Sequence, residues 1–284
     1  MTQKSFNPFG QPLPPVHSAR ALADLISSVQ PPNKYQTLLG LGKESVPAPP
    51  MRYTSAEIAE EIRAIFKETW TTRIGDKVPE SEDLKLSNDG VTLNGTILYA
   101  DLVDSTGMVD SMKPEFAAEV YKAFLKGACR VIRNNGGEII AFDGDRVMAV
   151  YIGNSKNTSA AKSALQINRV VTDANASLKA QYPNTDFKIR HVVGIDTSSL
   201  FVAKTGIRKD NDLVWVGRAA NRAAKLCTIR EDYERSYITP EVYNMLHEEA
   251  KFDAASKKLM WRERTWSAMN NIPIYSSTWY WGSF

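Results

Sequence analysis

Apolar positions in this chain recur at helical spacing in its longer stretches and run together or alternate in its shorter ones. Residues 113–133 place Phe116, Val120, Phe124, Val131 and Ile132 on one face, which predicts a helix. Residues 159–180 predict a second helix, and a third starts near Ala219. Residues 96–100 (TILYA) form an apolar run of strand length. Residues 138–142 and 147–151 predict two strands joined across Asp143-Gly144, a strong hairpin signal. Residues 187–195 and 200–205 predict two further strands, with another at 213–216 after the polar turn 208–212. Thr239-Pro240 supplies a helix cap followed by a first-turn proline, opening a short helix through His247. The aromatic, alternating tail IPIYSSTWYWGSF predicts a late strand. Strand, helix, strand, strand, helix, strand is the order of an α+β sandwich of the ferredoxin-like kind.

The N-terminal third differs in texture. Nine of the fourteen prolines fall in residues 1–50, the density of an extended lead-in. Within it, residues 18–29 could form a short helix with Ala21, Leu22, Leu25 and Ile26 on a common face. Thr54 and Glu57 make a capping box ahead of a clearer helix with Ile58, Ile62, Ile65, Phe66 and Trp70 at helical spacing. That stripe is expected to pack on the main domain, with dimerisation as the alternative. A charged stretch, 76–90, follows. The expected organisation is a Pro-rich and helical region at 1–90, a folded catalytic core at 91–248, and a C-terminal extension at 249–284. Trp261, Trp266, Trp279 and Trp281 are expected to pack that extension on the core.

Composition narrows the function classes. The chain has 284 residues, 43% hydrophobic and 24% charged, as ordinary globular proteins do. A formal net charge of +3 gives no argument for nucleic acid or an anionic membrane. No apolar run approaches the ~18 residues of a spanning helix, and the first residues lack a signal-peptide core. Cys129 and Cys227 exclude a disulfide scaffold and fit a cytoplasmic protein. His17, His191 and His247 lie far apart, against a structural zinc site. No Walker-type glycine loop and no internal repeat is visible.

Two acids stand out by position. Asp101 follows the apolar run TILYA, and Asp145 sits at the turn of the predicted hairpin. An acid at the end of a buried strand costs desolvation unless it is paired or binds a cation. Two of them from neighbouring strand ends can share divalent metals against a polyphosphate, since hard oxygen donors suit magnesium or manganese. The loop 102–106 leads toward a helix, and its backbone N–H groups would cradle phosphates.

YADLVDST, GGEIIAFDGD and VGRAANRAAKL occur in this order, separated by FKIRHVVGIDTSSLFVAKTG. Together they resemble the class III nucleotidyl cyclases over roughly residues 96–240. The resemblance implies that Asp101 and Asp145 hold two Mg²⁺ or Mn²⁺ ions per active site, with the Leu102 carbonyl completing one shell. It implies that Val103, Asp104, Ser105 and Thr106 line the phosphates, the Asp104 side chain itself being a turn or cap residue. Asn221 would orient the ribose. Lys225 stands where the family usually has a transition-state arginine; it keeps the charge and loses the bidentate fork, and Arg222 is the second candidate.

The positions that read a purine in this family are Ala141 and Val214 here, and neither side chain can hydrogen-bond a base. With these departures, ADLVDST, GRAANRAAKL and the aromatic C-terminal tail resemble the antiphage pyrimidine cyclases of the Pycsar type. The implied reaction converts UTP, or CTP, to its 3′,5′-cyclic monophosphate and pyrophosphate. The product would act on a separate effector protein. Tyr99 and Phe142 are candidates to flank the base, with core packing as the competing role. The family's active sites lie between two protomers, which implies a homodimer with two shared sites. An adenylate or guanylate cyclase with unusual base contacts, or a non-catalytic nucleotide-binding dimerisation module, are the rival readings.

Overall fold

The computed structural model describes residues 53–230 and 235–282. The proline-rich lead-in and the short helix expected at 18–29 lie outside them. The described chain opens with helix α1 (Ser55–Lys67) and strands β1 (Thr71–Ile74) and β2 (Asp89–Leu102). Helices α2 (Ser105–Ser111) and α3 (Pro114–Asn134) follow, then the hairpin β3 (Glu138–Asp143) and β4 (Arg146–Tyr151), and the long helix α4 (Lys156–Gln181). Strands β5 (His191–Ile207) and β6 (Asp210–Val216) lead into α5 (Arg218–Leu226). The chain closes with β7 (Ser236–Ile238), α6 (Pro240–Asn244), α7 (Glu248–Lys251), β8 (Arg262–Trp266) and β9 (Ile272–Ser277). The strands form one sheet in the order β3-β4-β2-β5-β7-β9-β8, with β1 on β2 and β6 on β5. This is the expected mixed α+β sandwich, with strands added at both ends.

The axis of the sheet is the β2–β5 pair, antiparallel from Gly90 opposite Ala203 to Leu102 opposite His191. Period-two alternation divides β2 between two cores. Leu98, Ala100 and Leu102 face Val120 and Phe124 of α3 and Leu165 and Ile167 of α4. Val91, Leu93 and Ile97 join Leu200, Val202 and the alanines of α5 on the other side. Tyr99 packs against this second core, so Asp101, two residues on, continues the α5 face.

Several expectations are corrected. The two strands expected at 187–195 and 200–205 run on as one strand, β5, which starts at His191, so that residues 187–190 precede it. The polar run between them stays in the ladder because its side chains are paired: Thr96 Oγ1 bonds Thr197 Oγ1 at 3.1 Å, and Asp196 accepts from Thr239 Oγ1 at 2.6 Å. Strands β1, β7 and β8 are too short for the sequence pattern to show and are additions to the expected set. The short helix opened by Thr239-Pro240 ends at Asn244, before His247. The tail is strand only over β9. The hairpin loop is Gly144-Asp145, with Asp143 opposite Arg146 and Gly144 at φ +61°. Glycine takes that left-handed conformation at the first position of a two-residue turn without a Cβ penalty.

Of the expected stripe, Trp70, beyond the end of α1, packs edge-on to Phe201 of β5, but the positions within α1 do not pack on the main domain. No residue of α1 is buried, and Phe66 is 85% exposed. The helix is held at its C-terminal end, where Asn88 Nδ2 donates to the carbonyls of Ile65 and Glu68, each at 2.8 Å. At the other end of the chain, Trp261 is buried and its indole N–H donates to Ala250 O at 2.8 Å. Trp279 and Trp281 pack against the α3/α4 core.

Candidate active site

The C-terminal end of β2, the start of α2 and the β3–β4 turn enclose a cavity of about 640 Å³. Asp101, Leu102, Asp104, Ser105, Thr106 and Asp145 line it, all anticipated from sequence. Gly107, Asp143, Gly144, Arg146 and Arg230 complete the lining.

The cavity concentrates carboxylates and pairs only the outer ones firmly. Asp143 accepts from Arg146 at 2.6 Å, and Asp104 is ion-paired with Arg190. Asp104 precedes α2 in the left-handed region, at φ 59°, which turns the chain sharply off the sheet. The inner pair is different. Burial pushes the Asp101 carboxyl above the ordinary range, the charge of Asp145 pushes it further, and Arg146 and Arg230 oppose both. Asp145 Oδ2 is buried without a hydrogen-bond partner. An orphaned acceptor beside a second, disfavoured carboxylate is a donor set that suits a hard divalent cation. Among the described residues no group of three or more His, Cys, Asp or Glu side chains gathers into a metal site. The set here is two carboxylates with the Leu102 carbonyl as the further candidate.

Val103 departs from expectation. It packs toward the third core, with Val192 and Leu226, and its N–H donates to Arg190 O at 2.9 Å, so it offers the cavity no donor. Ser105, Thr106 and Gly107 form the first turn of α2 against the cavity. First-turn N–H groups of a helix have no intrahelical acceptor and favour anions.

Tyr99 is half-buried beside the cavity, and the Arg146 guanidinium lies 5.5 Å from its ring centroid. The carbonyl of Tyr99 accepts from Cys227 Sγ at 3.1 Å, tying β2 to the end of α5. Ala141, Phe142 and Val214 do not line the cavity. A bulge between Ile139 and Ala141 turns both Ile140 and Ala141 toward the α5-side core, while Phe142 is 59% exposed.

Asn221, Arg222 and Lys225 also lie outside the cavity, on the polar face of α5. Its opposite face, Ala219, Ala220, Ala223 and Leu226, is buried. Close approach of α5 to β5 depends on Gly194, where a Cβ would stand 2.3 Å from the Ala223 carbonyl oxygen. Arg218 anchors the helix start, bonding Thr197 O at 2.8 Å and Glu241 Oε1 at 2.8 Å. Arg222 reaches the same Glu241 oxygen at 3.4 Å. Lys225 is exposed, and among the described residues its Nζ approaches the thioether of Met269 at 3.9 Å.

Sequence reasoning missed Arg230. It belongs to no motif, and its place against Asp101 arises only when the segment after α5 folds back onto β2.

No family model matches the chain. It is 50% identical over 227 residues to the uridylate cyclase of Xanthomonas perforans, covering 79% of this chain and 96% of that protein. It is 49% identical over 230 residues to the uridylate cyclase of Burkholderia cepacia, covering 79% and 98%. Among solved structures it is similar to the adenylyl cyclase CyaB from P. aeruginosa, with TM-score 0.57 and 18% identity over 69% of this chain and 97% of that one. That likeness is one of fold.

Proposed function

The chain belongs to the uridylate cyclase family of pyrimidine nucleotide cyclases, and on that footing we propose that it closes UTP to 3′,5′-cyclic UMP with release of pyrophosphate. The observation that carries the reading is the meeting of Asp101 and Asp145 in one cavity with the first turn of α2, the Asp145 oxygen buried and unpartnered.

Asp101, Asp145 and the Leu102 carbonyl would hold the divalent metals. Bound there, such ions would supply acidification of the ribose 3′-hydroxyl and positive charge against the triphosphate. The chain's own groups do the rest. The first turn of α2 directs N–H donors at phosphate oxygens. Arg190 neutralises Asp104 so that this acid does not repel the substrate. Tyr99 offers an aromatic face beside the cavity for the base. Ala141 and Val214 leave a purine without the side-chain partners it would need, which supports a pyrimidine.

Asn221 and Lys225 fit the roles of ribose orienter and cation for the developing charge on the α-phosphate. Neither lines the cavity of its own chain, and both are exposed. Their exposure supports a homodimer in which α5 of one copy completes the cavity of the other, giving two equivalent sites. Residues 91–248 would be the catalytic unit. No helix among the described residues is long and apolar enough to cross a membrane. A cytoplasmic enzyme whose cyclic product activates a separate effector, as in antiphage signalling, is the cellular role we assign.

The test is direct. The purified protein is incubated with Mn²⁺ and each of ATP, GTP, CTP and UTP, and the products are identified by mass spectrometry. Cyclic UMP as the main product is the expected result. Cyclic CMP moves the base assignment, cyclic AMP or GMP overturns the pyrimidine reading, and no product from any of the four overturns catalysis in favour of nucleotide binding.

A further inference from the structure

Arg230 lies four residues beyond α5 and lines the cavity at Asp101, with Nη2 3.6 Å from Oδ2. Its Nη1 donates to the carbonyl of Cys227. The side chain is 40% exposed, so it reaches the carboxylate from the solvent side. The separation exceeds a hydrogen bond, and the pair is a loose, solvated one. The outer acids of the cavity each have a close arginine: Asp143 has Arg146, and Asp104 has Arg190. Arg146 and Arg230 both act on Asp101, but Arg146 is held by Asp143, whereas Arg230 is the one that forms an ion pair with Asp101, a carboxylate that a divalent metal would claim.

A metal and Arg230 cannot both hold Asp101 without opposing each other. A doubly charged ion displaces a loose guanidinium, and like charge then keeps the two apart. The displaced group stays tethered at the cavity mouth, with a planar fork of N–H donors matched to phosphate oxygens.

We propose that Arg230 is an exchangeable counterion: it partners Asp101 until a divalent cation enters, then turns to bind the terminal phosphates of the nucleotide. This rests on the metal role given above to Asp101. It assigns Arg230 two partners in succession and makes metal entry the event that delivers the arginine to the substrate.

Two titrations on the full chain test it. Mn²⁺ binding is followed by electron paramagnetic resonance without nucleotide. Inorganic triphosphate binding is then followed by calorimetry with Mn²⁺ saturating. The variants are Arg230→Ala, Arg230→Lys and Asp101→Asn. Arg230→Ala should bind Mn²⁺ more tightly, by up to about fivefold, because a surface-type competitor of that strength is gone. It should bind triphosphate more weakly, by roughly tenfold, because charge-assisted hydrogen bonds are gone. Arg230→Lys should keep the wild-type Mn²⁺ affinity and lose part of the triphosphate affinity. The opposite signs are diagnostic, since a merely structural role would weaken both. Unchanged or weaker Mn²⁺ binding in Arg230→Ala, or unchanged triphosphate binding, overturns the proposal. If Asp101→Asn binds Mn²⁺ like the wild type, or the wild type binds none, the metal role of Asp101 fails first and Arg230 falls with it.

Discussion

Arg222 leans back onto Glu241 of its own chain, Nη1 to Oε1 3.4 Å, whereas Lys225 one turn later has no carboxylate partner among the described residues. Glu241 also takes Arg218 at 2.8 Å, so two of the three cations on this face of α5 are committed to the helix's own anchorage. Among the described residues, Lys225 is then the cation of this face left to meet a substrate. Lys225→Ala should lower kcat by roughly 10²-fold or more, the scale of a lost transition-state electrostatic contact. Arg222→Ala should cost less activity and more stability. Steady-state cyclisation rates together with melting temperatures separate the two, and the reverse ranking would transfer the role to Arg222.

The inner carboxylates set activity against stability. Asp145 has a buried, unpartnered oxygen, and its charge burdens Asp101. Asp145→Asn removes that repulsion. The variant should melt a few degrees higher while turnover falls by roughly 10²-fold or more. Wild-type turnover would end the assignment of Asp145 as a metal ligand.

If α5 completes the partner's cavity, two defects on different halves must complement. Asp101→Ala and Asn221→Ala chains, each inactive alone, should regain about a quarter of wild-type activity when mixed equally. Half of the dimers are then mixed, and each mixed dimer holds one intact site. Mass spectrometry of the intact dimers establishes that mixing occurred. Mixed dimers without activity would count against shared sites.

Gly194 fixes how near α5 comes to the sheet. Gly194→Ala puts a methyl group 2.3 Å from the Ala223 carbonyl oxygen, too close for backbone to yield cheaply. The expected cost is about 1–3 kcal/mol, as for other overpacked sites. Denaturant unfolding measures it, and an unchanged midpoint would mean that α5 is seated less tightly than this.

His191 is a buried neutral imidazole, its pKa pulled down to about 3 by burial and by the charge of Arg235. Its Nε2 pairs with Asn168 Oδ1 at 2.8 Å. The unfolded chain has an ordinary imidazole near pKa ~6.5. Between those values the unfolded state binds a proton that the folded state refuses. Stability is therefore retained above about pH 6.5 and is lost progressively as pH falls toward 3. His191→Gln keeps a donor for Asn168 and removes the titration. Its melting temperature should drop less than the wild type's between pH 7.5 and pH 5, and parallel losses would remove His191 as a cause.

The parts of the fold legible in the sequence are those where one local signal dominates. Helices α3 and α4 follow from their apolar spacing, and the β3–β4 hairpin from a glycine that the turn requires. Asp101 and Asp145 were legible because an acid against an apolar strand end needs a physical reason. Strand β5 was not read as one piece, because Asp196 and Thr197 look like a break until Thr96 and Thr239 are brought beside them. The α1 stripe has the composition of a packing face, yet composition cannot say what covers it. Arg230 is the clearest limit: its meaning depends on a fold-back that brings together residues 101 and 230.

The unbroken β2–β5 ladder has a mechanical consequence. Over the paired length the two strands span roughly 40 Å at ~3.3 Å per residue. At one end β1 is laced on, with Arg73 holding Asp89 at 2.6 Å and Trp70 edge-on to Phe201. At the other end the same strands carry Asp101 and His191. A ribbon hydrogen-bonded along its whole length behaves as a stiff beam. A push or twist on the β1 end would therefore be shared along the ladder with the aspartate end, since no break in the pairing lies between them.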